Sequence, residues 1–230
     1  MKKLGFLFFV SALAIGLISA ASSCSVGNFN FKNMSGVQGS GNAKSETRNV
    51  SGFNEIEANG AISAQITVGD SFNVVIETDD NLLTYVKTEV NGDTLKIYTE
   101  GRISPKTKTN VKISMPALDK LDINGASSVN VADVKGDSLE IKANGASEVQ
   151  VTGETKNFSA EANGASTVNA ENLAAENADV DSNGASTITV SPVNELNAEA
   201  SGASTVYYKG EPKSIKQSSS GVSSIKKKAD

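Results

Sequence analysis

Few side chains in this sequence could do chemistry, and their types set narrow limits. The 230-residue chain has no histidine and no tryptophan, and its one cysteine is Cys24. These absences remove the usual general base near neutral pH, a pool of thiol nucleophiles and the commonest metal ligand. Catalysis would fall to carboxylates, Ser, Lys or Tyr. Glu161, Asp181 and Glu199 each stand three residues ahead of a glycine, in a series that also holds Asp122 and Lys142. Such a series could hold Ca²⁺, which favours several oxygen ligands. The GGxGxD signature of calcium-binding repeats is absent, however, and repulsion against edge pairing is the simpler account, so no metal is assigned.

Paired carboxylates also serve glycoside hydrolysis, which makes a carbohydrate-active enzyme one reading to weigh. The segment that carries the acids offers only Phe158, Tyr207 and Tyr208 as aromatics and no arginine. A sugar-cleaving site lacks its usual platform there. The expectation is therefore a non-enzymatic protein with no catalytic residues and no cofactor.

A second set has binding rather than catalytic chemistry. Thr167, Thr187 and Thr205 stand three residues after successive glycines, and Asn130, Gln150, Asn169, Thr189 and Tyr207 stand five after. On a regular scaffold these make a flat polar face suited to a glycan or another ordered surface. A solvated β-face rich in Thr gives the same pattern, because Thr suits strands.

What must position these residues is a repeat. NGAS occurs at 124–127, 144–147, 163–166 and 183–186, followed by SGAS at 201–204 and SGVS at 220–223. The pairs Asn124/Gly125, Asn144/Gly145, Asn163/Gly164 and Asn183/Gly184, then Gly202 and Gly221, are spaced 20, 19, 20, 18 and 19 residues apart. A period near twenty marks solenoid coils, and NGAI at 59–62 resembles a displaced member.

Asn-Gly between apolar runs is also a hairpin signal. Pairing the chain about Asn144 and Gly145 as a hairpin would set Ile141 against Glu148 and Glu140 against Val149, with apolar residues on opposite faces. Counting along the chain instead, the even offsets from each glycine are apolar or small on both sides: Ile141 and Ala143 before, Val149 and Val151 after. Parity is kept through the corner. The reading is an all-β, right-handed parallel β-helix with 18–20 residues per coil, the corner Asn, Gly and Ser columns being structural.

Residues 49–118 read as strand after strand separated by turn signals, with no convincing helix. Residues 25–47 lack periodicity and read as a flexible tether, while Lys226, Lys227 and Lys228 begin a basic tail at 226–230 that blunts the last coil's edge.

Lys2 and Lys3 followed by apolar Leu4 to Ala20 form an export signal; a transmembrane segment is the weaker reading, because Gly5, Ser11 and Gly16 interrupt the run. Cys24 after Ala20, Ala21, Ser22 and Ser23 resembles a bacterial lipobox, with Ala21 where Leu is usual. Cleavage there would leave a lipidated Cys24; the alternatives are a free thiol or an intermolecular disulfide partner. Removing residues 1–23 leaves 19 Lys plus Arg against 26 Asp plus Glu. That balance excludes nucleic acid as an expected partner.

The segments GFNEIEANGAISAQITVGD (52–70), DDNLLTYVKTEVNGDTLKIYTEG (79–101), KISMPALDKLDINGAS (112–127) and the NGAS repeats together resemble the auto-transporter adhesins with a head GIN domain, over roughly residues 48–225. The resemblance implies a right-handed β-helix and a role in adhesion, with no catalytic or ligand residues to carry over. It departs from an auto-transporter in that no translocator barrel is expected to follow the coils, the expectation being a lipoprotein that carries the head alone. The organisation it implies is a lipoprotein signal peptide (1–23), a tether (24–47) and a head domain (48–225) with irregular coils at 48–118 and regular ones at 119–225. The expected setting is the envelope of a Gram-negative bacterium, as an outer-membrane lipoprotein. Its membrane contact would be through lipid, its ligand a glycan, a matrix or another extracellular protein, and a homo-oligomer or envelope assembly subunit is the alternative.

Overall fold

The computed structural model describes residues 36–228, so the export signal and Cys24 lie outside the described residues. Its regular structure is entirely β. In chain order the first strands are β1 (Val37–Gln38), β2 (Ala43–Arg48), β3 (Glu55–Gly60), β4 (Ser63–Val68), β5 (Asn73–Asp79), β6 (Val86–Asn91), β7 (Thr94–Thr99), β8 (Ile103–Ser104) and β9 (Asn110–Met115). The repeat supplies β10 (Lys120–Gly125), β11 (Ser128–Gly145), β12 (Glu148–Gly164), β13 (Thr167–Gly184) and β14 (Thr187–Gly202). The last full coil is β15 (Thr205–Tyr208) and β16 (Ser214–Ser219), and β17 (Ser224–Lys227) begins the next.

The coils stack in parallel, and the hairpin alternative is excluded throughout the repeat. Asn124 and Gly125 lie opposite Asn144 and Gly145, which lie opposite Asn163 and Gly164. Gly184 follows opposite Gly202. The even-offset residues fill the core: Ile141, Ala143, Val149, Val151, Val168, Val180, Ile188 and Val206 are buried. The unequal coil lengths are absorbed away from the Asn-Gly corner. Register shifts fall between Val131 and Val134, between Gln150 and Thr152, and between Ala170 and Asn177. At the first of these the extra residue is Asp133, which takes the left-handed φ of 60°, a region Asp tolerates better than most residues.

The corner requires glycine for two reasons. Gly145 has φ +91°, and a Cβ built on it would lie 2.4 Å from the carbonyl oxygen of Gly125 in the coil beneath. Stacked corners approach too closely for any side chain.

NGAI at 59–62 belongs to the same stack, since Asn59 and Gly60 lie opposite Asn124 and Gly125, 65 positions further along the chain. The intervening chain does not simply precede the repeat. It loops outward, so that β7 pairs the far side of β3 and β9 the far side of β4. The coil made by β3 and β4 is thus sandwiched between chain that comes later on both sides. Antiparallel strands finish this end: β6 on β7, and β5 on β9 with β2 on β5. The apolar start of LLTYVKTEV, which falls in the stretch read as strand after strand, is instead a turn over 80–85 that buries Leu82 and Leu83.

Two boundaries are corrected. The tether ends earlier than 47, because β1 pairs β8 and β2 pairs β5 along six residues. Nothing in AKSETR betrays this, since the strand is held by backbone pairing on one side while its side chains are almost all exposed. Lys226 and Lys227 are likewise no tail: they lie in β17, stacked on Tyr207 and Tyr208 of the coil beneath.

Candidate functional site

The outward columns of the solenoid follow from the register. Immediately before five of the corner glycines stands an asparagine, and two residues before that asparagine stands a carboxylate in four of these five Asn-Gly coils. Nδ2 of Asn59, Asn124, Asn163 and Asn183 donates to Glu57, Asp122, Glu161 and Asp181 respectively, each at 2.9 Å. Where Lys142 replaces the carboxylate, Asn144 donates to Oδ1 of Asn124 at 3.0 Å, and Asn163 in turn donates to Asn144 at 2.9 Å. Of the acids weighed as a cation ladder, Asp122, Glu161 and Asp181 therefore orient corner amides, while Glu199 precedes a Ser-Gly corner. No group of three or more His, Cys, Asp or Glu side chains among the described residues is arranged to hold a metal.

Electrostatics in this series are local. The Lys96 ammonium, and then the Asn59 amide, bond the Glu57 carboxylate and hold it below the ordinary carboxylate range against the opposing effect of burial. Glu171 is lowered by Lys209 and Lys228, which both reach back to it from later coils.

On the face after the corner, the register brings the expected Thr and Asn residues together. Thr167, Thr187 and Thr205 form one column, and Gln150, Asn169 and Asn130 belong to the next, with Thr189 and Tyr207 above them. Exposure along it is uneven. Asn130, Gln150 and Thr167 are exposed, while Asn169, Thr187, Thr205 and Tyr207 are half-buried. Thr189 is only 8 % exposed, so it is not presented to a ligand. The flat polar ladder is confined to the earlier coils.

Sequence reading missed a concave surface on the opposite side of the corner. A groove of about 620 Å³ runs across successive coils, with Asn157, Asn177 and Glu195 along one wall and Asp179 and Asn197 along the other. These pairings are in register: Asn157 opposite Asn177, Asn177 opposite Glu195, and Asp179 opposite Asn197. Nδ2 of Asn177 donates to Oδ1 of Asn157 at 3.0 Å, and Nδ2 of Asn197 to Oδ1 of Asp179 at 2.9 Å. Phe158 lies beneath at 2 % exposure, so the groove presents amides and carboxylates rather than an aromatic platform. Offsets of minus seven and minus five from the glycine already marked these side chains as outward. What brings these columns together into one concave surface is the stacking of successive coils, which no single residue signals.

A parallel solenoid with polar columns outside and a dry aliphatic interior defines a repeat scaffold that displays surface. The chain belongs to the family described as "Putative auto-transporter adhesin, head GIN domain", whose profile matches residues 52–212. No curated protein matches it. Among solved structures it is similar to a putative adhesin of Bacteroides fragilis, with TM-score 0.67 and 21% identity over 84% of this chain and 100% of that one. A putative adhesin of Parabacteroides merdae aligns with TM-score 0.52 and 16% identity, covering 85% and 100%. A putative lipid binding protein of Parabacteroides distasonis aligns with TM-score 0.50 and 22% identity, covering 84% and 99%. At these identities the structures establish the shared fold.

Proposed function

We propose that this chain is a non-enzymatic, lipid-anchored adhesin of the bacterial envelope that takes an extended polar ligand, a glycan strand or a segment of an extracellular protein, along the groove flanked by Asn157 and Asn177. The observation that carries this reading is the groove itself. It crosses several coils, and its walls are side chains with both donors and acceptors, which suits a long hydroxyl- or amide-bearing ligand. Membership of an adhesin family supports the adhesive role, and the lipobox-like run before Cys24 supports anchoring through lipid at the outer membrane.

The test is binding of a soluble Cys24→Ser chain to an array of glycans and matrix proteins. An Asn157→Lys/Asn177→Lys double variant and a Thr167→Lys/Thr187→Lys double variant would be run alongside. Loss of binding in the first and not the second supports the groove; the reverse moves the site to the Thr face. No binding by a folded chain rejects the adhesin reading.

An assembly subunit is the second reading, favoured by the last coil. All six residues of β16 are exposed, Ile215 at 41% among them, as is Val222 at 82%. Among the described residues β16 is paired along one side only, by β14, which leaves its other edge for a further strand. Concentration-dependent light scattering distinguishes it from a monomeric adhesin.

A further inference from the structure

Six Asn-Gly peptides occur among the described residues, at 59–60, 91–92, 124–125, 144–145, 163–164 and 183–184. Asn-Gly is unusually open to self-attack, because glycine has no Cβ to shield its backbone nitrogen from the preceding carboxamide. The reaction needs a free glycine N–H, a carboxamide able to swing over it, and room. Five of the six peptides are denied these conditions by the solenoid.

Those five sit at coil corners, where the Asn-Gly peptide is stacked in the parallel ladder. Each of their carboxamides is held by a neighbouring Asp, Glu or Asn side chain. Space is closed as well: a Cβ on Gly125, Gly145, Gly164 or Gly184 would meet the preceding corner's carbonyl oxygen at 2.2–2.8 Å. Gly60 has more room, with Thr99 Oγ1 at 3.9 Å, but Asn59 is held by Glu57 and stacked against Asn124.

Asn91–Gly92 is different. It forms the tip of the β6–β7 hairpin, with Asn91 opposite Thr94 and a two-residue loop between them. Gly92 has φ +61°, and Asp133 is the one non-glycine residue with positive φ among the described residues, so Asp93 does not share it. This is the sign pattern of a type II′ turn. The closing hydrogen bond of such a turn joins the outer residues and leaves the N–H of its first central residue, here Gly92, outside the bond. Asn91 is exposed, and a Cβ on Gly92 would meet nothing within 4 Å.

We propose that Asn91 is a site of spontaneous modification, the position at which this protein ages by deamidation. The Gly92 nitrogen attacks Cγ of Asn91, forming a C–N bond. The carboxamide C–N bond breaks, and its nitrogen departs as ammonia carrying the proton lost by Gly92. The resulting succinimide is opened by water at either carbonyl, giving aspartate or isoaspartate. Water is the only co-reactant. The product places a new carboxylate between Glu89 and Asp93, and isoaspartate adds a methylene to the backbone of a two-residue turn on the outermost strand pair.

The test is peptide mapping by mass spectrometry of the purified chain held in mildly alkaline buffer, with isoaspartate detected by enzymatic methyl labelling. Amide-to-acid conversion at Asn91 should run at least an order of magnitude faster than at any corner asparagine. In urea-unfolded chain the six sites should converge to within a few-fold, and an Asn91→Ser chain should lack the early product. Equal rates at Asn91 and the corners in the folded chain, or a persistent amide at Asn91 while corners convert, would overturn the proposal.

Discussion

Oε1 of Glu161 accepts the Nδ2 of Asn163 at 2.9 Å, two residues along the same strand and one residue before the corner glycine. The acid column and the amide column are one device: the carboxylate fixes the amide, and the amide caps a stacked corner. Replacing Asn163 by Asp would set two carboxylates against each other and remove the donor to Asn144. Thermal unfolding of Asn163→Asp should show a loss of about 1 kcal/mol or more at neutral pH. The loss should shrink as pH falls through the carboxylate range, because protonating one partner restores a donor; a pH-independent loss would mean that the amide matters only for shape.

The stacked glycines make a sharper prediction. Gly145→Ala introduces the left-handed strain of roughly 1–2 kcal/mol and drives a Cβ onto the Gly125 carbonyl, 2.4 Å away. Gly92→Ala carries the strain alone, since its surroundings are open. Denaturant titration should find Gly145→Ala the less stable of the two, and equal losses would show that the corner relaxes.

Much of this architecture was legible from residue types. Continuity of inward residues through Gly145, from Ile141 and Ala143 to Val149 and Val151, argues against hairpins from residue types alone, because a hairpin reverses parity and a corner does not. The displaced NGAI could be matched to the repeat by its corner residues alone. Its neighbours could not: β7 lying outside β3 is a non-local pairing between two generic strands, and β2 is a polar edge strand recruited by backbone hydrogen bonds. The Thr face was legible as a set of outward positions but not as an exposed one, since the 8 % exposure of Thr189 is set by neighbouring coils. The groove at Asn157 and Asn177 arises from the stacking of several coils, which parity within one coil does not encode.

Core packing along the coils is complementary in size. Phe158 lies opposite Leu139 on one side and Ala178 on the other, so the small Ala makes room for the ring. Phe158→Ala should cost about 3–5 kcal/mol, the usual range for emptying an aromatic site. Ala178→Phe should also destabilise, by about 1–3 kcal/mol through overpacking. If the double swap Phe158→Ala/Ala178→Phe recovers much of the loss in chemical denaturation, the two coils share one packing volume; strict additivity would show that they do not.

Asp79 ties the early chain to the cap. Its Oδ1 accepts the N–H of Gly41 at 2.7 Å, and its Oδ2 accepts those of Lys106 at 2.8 Å and Thr107 at 3.1 Å, with the side chain fully out of solvent. Burial alone would raise its pKa, but the N–H donors of Thr107, Gly41 and Lys106 outweigh it and hold the carboxyl below its ordinary value. A carboxylate lowered by folding contributes stability that is fully present above its unfolded pKa and is lost as pH falls through the folded one. The melting temperature of the native chain should therefore drop in acid, below the ordinary carboxylate range. Asp79→Asn, which keeps the shape but loses one acceptor oxygen and the charge, should melt lower than the native chain at neutral pH, with the gap narrowing as acid protonates the native Asp79. A gap that stays constant from neutral pH into acid would show that Asp79 holds these loops by packing rather than by its charge.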